Sequence, residues 1–94
     1  MPLFVLHCVD KPNALEVRMG ARDAHLAYVG GKRDILRLGG PMLDEAGGMA
    51  GSLLIVDVAD KAAAEAFSAD DPYTRAGLWQ RVDISAFKAS LGNL

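Results

Sequence analysis

Ser52-Leu53-Leu54-Ile55-Val56-Asp57-Val58 constrains this chain more than any other segment. A nearly unbroken aliphatic run of that length predicts a strand buried on both faces. Such a strand belongs at the centre of a sheet, so the remaining elements must be arranged around it. Three other segments can supply its neighbours. Leu3 to Val9 is rich in β-formers and stops at Asp10-Lys11-Pro12-Asn13, whose residues favour a turn. Ile35 to Leu38 is a short apolar run closed by Gly39-Gly40-Pro41, and the stretch that follows, with Gly47, Gly48 and Gly51, reads as a flexible loop. Leu78 to Ile84 alternates well enough for a fourth strand, which leaves 85–94 as a tail.

Between these strands the period changes. Leu15, Met19, Leu26 and Val29 fall within a narrow arc of a helical wheel, which predicts an amphipathic helix over roughly residues 14–30, weakened by Gly20 and ended by Gly30-Gly31. Asp60 is placed to cap a second, alanine-rich helix from Lys61 to Ala69 with Ala63, Ala66 and Phe67 on one side. Asp71-Pro72 stops it, because the residue before proline is pushed out of the helical region. The order β-α-β-β-α-β is that of the ferredoxin-like, or split βαβ, arrangement: an α+β domain with one antiparallel four-stranded sheet and both helices on one face. The other face is then bare and apolar. Packing two such faces together forms a dimeric α+β barrel, which makes a second copy of the chain the expected partner.

Composition agrees with a single small domain. At 94 residues the fold buries roughly 60–65% of the surface of the unfolded chain, and 51% hydrophobic against 23% charged residues leaves apolar surface to cover. Ten basic and twelve acidic side chains are interspersed, giving a net charge of −2, so neither nucleic acid nor an anionic membrane is an expected partner. The single cysteine, Cys8, cannot form an internal disulfide, and no leader pattern opens the chain, which together predict a cytoplasmic protein. No apolar run is long enough to cross a bilayer.

Chemistry can be sought in two places. Arg18, Arg22 and His25 stand at i, i+4 and i+7, in a row along the edge of the first helix's apolar stripe. Guanidinium groups beside an imidazole can receive a carboxylate and leave the histidine to move a proton. The same spacing equally fits a polar row that merely covers the helix flank. Asp70-Asp71-Pro72-Tyr73 offers a carboxylate at a rigid junction, able to orient a histidine, yet acidic residues and proline also simply terminate helices. Gly39-Gly40-Pro41 can let backbone approach a ligand or be ordinary turn chemistry. His7 can point into the cavity of a barrel or be a hydrogen-bonded core histidine, and Cys8 reads as a small buried hydrophobe. Ser52 and Ser85 lack any motif that marks a nucleophile, and two scattered histidines and one cysteine make no metal site.

Taken in order, these pieces resemble the YciI-like (YCII-related) family over about residues 3–88. The resemblance rests on an opening strand ending in Asp10, then Arg22-Asp23-Ala24-His25-Leu26, then Gly40-Pro41, then Asp71-Pro72-Tyr73 followed by Ala76-Gly77-Leu78. It implies a ferredoxin-like fold, dimerisation through the sheet face, and a cleft in which His25 and Asp71 form a catalytic pair. It also implies kinship with muconolactone isomerases and dehalogenating enzymes that use no cofactor. Arg22 and Arg18 would then bind an acidic or lactone-like metabolite, with Gly40, Pro41 and Tyr73 beside it. The alternative expectation is a dimeric module that binds such a metabolite without turning it over.

Overall fold

The computed structural model describes residues 2–93 and places seven elements along the chain: β1 (Leu3–Asp10), α1 (Leu15–Gly30), β2 (Leu36–Leu43), β3 (Met49–Asp57), α2 (Lys61–Asp70), α3 (Pro72–Arg75) and β4 (Trp79–Phe87). The strands form one antiparallel sheet in the order β2-β3-β1-β4. The long apolar run lies inside it as expected, as the greater part of β3 between β1 and β2. This is the ferredoxin-like βαββαβ arrangement.

Alternation decides which side chains meet the helices. Phe4, Leu6 and Cys8 of β1 and Leu54 and Val56 of β3 point to the helical side, where they close a core with Ala64 and Phe67 of α2. A smaller cluster of Ala14, Tyr73 and Leu78 lies at the other end of the layer. On the opposite face, Val5, His7, Val9 and Leu53 are half-buried, and Leu38, Met42 and Phe87 are exposed. His7 therefore sits on the open face, opposite Leu53 and Asp83, as the reading that points it into a barrel interior requires and not as a hydrogen-bonded core histidine.

Several boundaries differ from the expectation, each for a local reason. Strand β2 does not stop at Gly39-Gly40-Pro41 but runs through it to Leu43; a proline without an N–H is tolerated because β2 is an edge strand. The loop shrinks to a tight turn in which Asp44 Oδ1 accepts from the N–H groups of Ala46 at 3.0 Å and Gly48 at 2.9 Å, with Gly47 at a positive φ of 87°. Gly51 belongs to β3, where a Cβ would run into the carbonyl oxygen of Cys8. Residues 85–87, assigned to the tail, continue β4 opposite Val5, Phe4 and Leu3. Asp71-Pro72 ends α2 and also starts a new helical turn, with Pro72 at its first position.

The largest correction concerns α1. Its inward row, starting from the cap Ala14, has Arg18 and His25 buried and Ala21 and Tyr28 half-buried, whereas Leu15 and Leu26 of the apolar stripe are 54% and 46% exposed. Two polar residues are buried because partners await them. Among the described residues, no helix is long and apolar enough to cross a membrane.

Candidate active site

Helix α1 carries Arg18 and His25 two turns apart on its buried row, so both project toward the sheet and the α2–α3 corner. Beneath them β3 contributes Ser52 and Leu54, and the edge strand contributes Leu36 and Gly39-Gly40-Pro41. Together with Arg22, Leu26, Val29, Met49 and Tyr73 these residues enclose a cavity of about 120 Å³. Its walls are mostly aliphatic and its polar groups few, the usual make-up of a small-molecule site.

The histidine and the aspartate, forty-six positions apart, meet here. His25 Nδ1 lies 2.8 Å from Asp71 Oδ1, and both side chains are buried. The same oxygen accepts the backbone N–H of Tyr73 at 2.9 Å, the capping bond that starts α3. An ionised carboxylate only accepts, so Nδ1 carries the hydrogen in the neutral ring and Nε2 keeps its lone pair. Nε2 makes no hydrogen bond to any described residue, and it belongs to a side chain that lines the cavity. The Tyr73 ring stacks on the imidazole with centroids 3.9 Å apart and planes within 14°, and Trp79 packs edge-on against the tyrosine. Burial raises the Tyr73 phenol above its ordinary value, while the charges of Arg18 and Arg22 act the other way.

Arg18 and Arg22 divide into different tasks. Arg18 is only 2% exposed, and its guanidinium is already engaged: Nε and Nη2 each donate to the Asp10 carboxylate at 2.8 Å, and Nη2 also reaches Ser52 Oγ at 3.1 Å. Burial alone would lower its affinity for a proton, but the Asp10 pair outweighs this and raises it. Its Cζ stands 4.8 Å from the Tyr73 ring centroid. Arg18 is thus a fixed part of the wall. Arg22 is exposed at the cavity's edge and has no ion-pair partner among the described residues, which leaves its charge for an incoming anion. Gly40, Pro41 and Tyr73 line the cavity.

Two further lining positions were not among the expected substrate-binding residues. Gly39 faces the helical side opposite Leu54, where an added Cβ would come within 2.6 Å of Leu54 Cδ2, so its bareness keeps the cavity open. Ser52 is nearly fully buried and meets Arg18; only its place on the helical side of the central strand, two residues before Leu54, could have drawn notice. Cys8, opposite Ser52 in register, is inert: burial, then the Asp71 charge, pushes its thiol up to about 12. Among the described residues no group of three or more His, Cys, Asp or Glu side chains converges as metal ligands would.

Fold and site define a small ferredoxin-like domain with a buried histidine–aspartate pair opening on an apolar cavity. The chain belongs to the YCII-related domain family, whose model matches residues 2–88. It is 37% identical over 94 residues to Protein YciI of Escherichia coli O6:H1 (strain CFT073), covering 92% of this chain and 96% of that protein. Among solved structures it superposes with a TM-score of 0.87 on the 5-chloro-2-hydroxyhydroquinone dehydrochlorinase of Burkholderia phenoliruptrix AC1100, in complex with 2,5-dihydroxybenzoquinone. That enzyme is 33% identical, with 92% of this chain and 93% of the other covered. An antibiotic biosynthesis monooxygenase shares the fold alone, at a TM-score of 0.59 and 13% identity over 97% of this chain and 100% of the other.

Proposed function

We propose that this protein is a small acid–base enzyme, independent of any cofactor, that acts on a carboxylated, lactone-like or hydroxylated-ring metabolite. The observation that carries this reading is the 2.8 Å contact of His25 Nδ1 with buried Asp71, which leaves Nε2 to the cavity. His25 takes a proton from the bound molecule at Nε2, and Asp71 stabilises the imidazolium that results. In a dehydrochlorination the electron pair freed by that proton is taken up in a new π bond of the substrate, while the C–Cl bond breaks and its pair leaves with chloride. Proton and halide leave as HCl, and no outside oxidant or reductant is consumed. In an isomerisation the same nitrogen returns the proton to another atom. Arg22 draws the anionic part of the molecule to the cavity's edge, and Gly40, Pro41 and Tyr73 bound the space it occupies. Likeness to the dehydrochlorinase supports chlorinated hydroxyhydroquinones as the first compounds to try.

The same reading takes a second copy of the chain as the partner, packed on the open sheet face where Leu38, Met42 and Phe87 lie exposed, and takes the cytoplasm as its location.

Asp71→Asn is the test, because Oδ1 of an asparagine can still accept from both Tyr73 N–H and His25 Nδ1–H while the charge is lost. Chloride release from 5-chloro-2-hydroxyhydroquinone should fall about 10²-fold or more with the melting temperature little changed. Undiminished turnover in Asp71→Asn sinks the acid–base reading. Saturable binding with no product from the wild type leaves the binding-module alternative in its place.

A further inference from the structure

Ser52 is the polar group for which the mechanism above has no use. It lies on the central strand β3 with its side chain on the helical face, is 3% exposed, and lines the same cavity as His25. A hydroxyl has one hydrogen to give and two lone pairs to receive with. One lone pair is taken by Arg18 Nη2 at 3.1 Å. The hydroxyl makes no hydrogen bond to an acceptor among the described residues, which leaves its hydrogen to a molecule in the cavity that Ser52 lines. Arg18 cannot receive it, because a guanidinium carries only donors, and two of its nitrogens are held by Asp10 at 2.8 Å. What it does is fix the Ser52 oxygen from behind and, by its charge, make the hydroxyl a stronger donor toward the cavity.

We propose that Ser52 donates a hydrogen bond to the substrate oxygen that gains negative charge as His25 removes a proton, and that the substrate is accordingly an enolic or phenolic compound. The inference rests on the acid–base reading given above and adds the second pole of the site. A base at one wall takes the proton. A donor backed by a guanidinium at another holds the oxygen on which the electrons gather, as preorganised donors do where charge develops. Ser52 forms no covalent bond in this scheme. A protonated amine or a plain hydrocarbon ring offers this donor no acceptor, whereas a ring hydroxyl or the carbonyl of a lactone does. Arg18 is a positioning residue: held by Asp10, it fixes the Ser52 oxygen.

The test titrates 2,5-dihydroxybenzoquinone, a coloured acidic enol, into the wild-type protein and into Ser52→Ala, Ser52→Cys and Ser52→Thr, with His25→Gln alongside. Absorbance follows both affinity and the state of the bound ring. Loss of a hydrogen bond to a charged oxygen predicts about tenfold or greater weakening in Ser52→Ala. Cysteine, of similar size but a poor donor, should fall with alanine; threonine, which keeps the hydroxyl, should stay near the wild type. The absorption band of the bound ring should move in the alanine and cysteine variants and not in the threonine variant. Should alanine upset the fold, cysteine carries the comparison. Wild-type affinity and an unmoved band in Ser52→Ala and Ser52→Cys, with binding weakened in His25→Gln, overturn the assignment of Ser52 and leave the histidine site standing. Failure of the wild type to bind the enol at all overturns both.

Discussion

Replacing Arg18 with methionine isolates the energetic role of the buried ion pair. Methionine matches the aliphatic part of the arginine stem and keeps the helix, but it leaves the Asp10 carboxylate, 7% exposed, without the two 2.8 Å bonds that compensate its burial. Removing one partner of a buried pair costs about 3–5 kcal/mol, and the cation–π contact over Tyr73 adds roughly 0.5–2 kcal/mol if it is also lost. A domain of this size has a total stability of roughly 5–14 kcal/mol, so the single substitution should remove about a fifth of it or more. In urea, with a slope of about 1–3 kcal/mol per molar, the unfolding midpoint should drop by more than about 1 M. The measurement needs one fixed protein concentration, because association would shift the midpoint by mass action. Asp10→Asn combined with Arg18→Met should recover most of the loss, since no unpaired charge then remains buried. A drop in Arg18→Met smaller than about 0.3 M, or a double variant no more stable than the single, would show that water reaches Asp10 freely and that the wall of the cavity is not held in the way described.

Other outcomes follow from single observations. Gly39→Val should fill the cavity and force Leu54 aside, lowering stability by about 1–3 kcal/mol and abolishing ring binding in the same titration; Gly40→Ala, whose Cβ meets nothing within 4 Å, should unfold within about 0.5 kcal/mol of the wild type. The Cys8 thiol, raised to about 12, keeps its proton in the fold while the unfolded chain loses it above about pH 8.5. Stability should therefore fall with rising pH across that window, by at most about 1.4 kcal/mol per unit. Comparing urea midpoints of the wild type and Cys8→Ala at several alkaline pH values isolates this slope, and equal slopes would place the thiol in contact with water. If the proposed dimer forms through the open face, light scattering should give two chains for the wild type and one for Leu53→Arg, which puts a charge at the middle of that face; a wild type of one chain, or a variant still of two, would overturn that arrangement.

The sheet was legible because β3 announces itself: an aliphatic run of that kind has few places to go other than a sheet centre, and the flanking segments then have only a few consistent arrangements. The cap at Asp60 was equally local, and its carboxylate does accept from Ala63 N–H at 2.9 Å. Strand β2 was not legible past Leu38, since Gly39-Gly40-Pro41 is turn chemistry in isolation and becomes strand only where an edge needs no proline N–H. Helix α1 misled for a deeper reason. Hydropathy places its apolar arc inward, whereas Arg18 and His25 take the interior because Asp10 and Asp71, contributed from elsewhere, receive them there. The proximity of His25 and Asp71 came from family resemblance and not from spacing. The roles of Ser52 and Gly39 depend on what lies across a cavity, which a linear sequence does not display.

One oxygen of Asp71 both starts a helical turn through Tyr73 and grips the imidazole. The aim of the ring is consequently tied to the integrity of a four-residue corner, among the shortest helical pieces a chain can make. Anything that loosens that corner, whether heat, cosolvent or a neighbouring substitution, will detune the histidine while the sheet is still intact, so that competence and foldedness part company at this joint first.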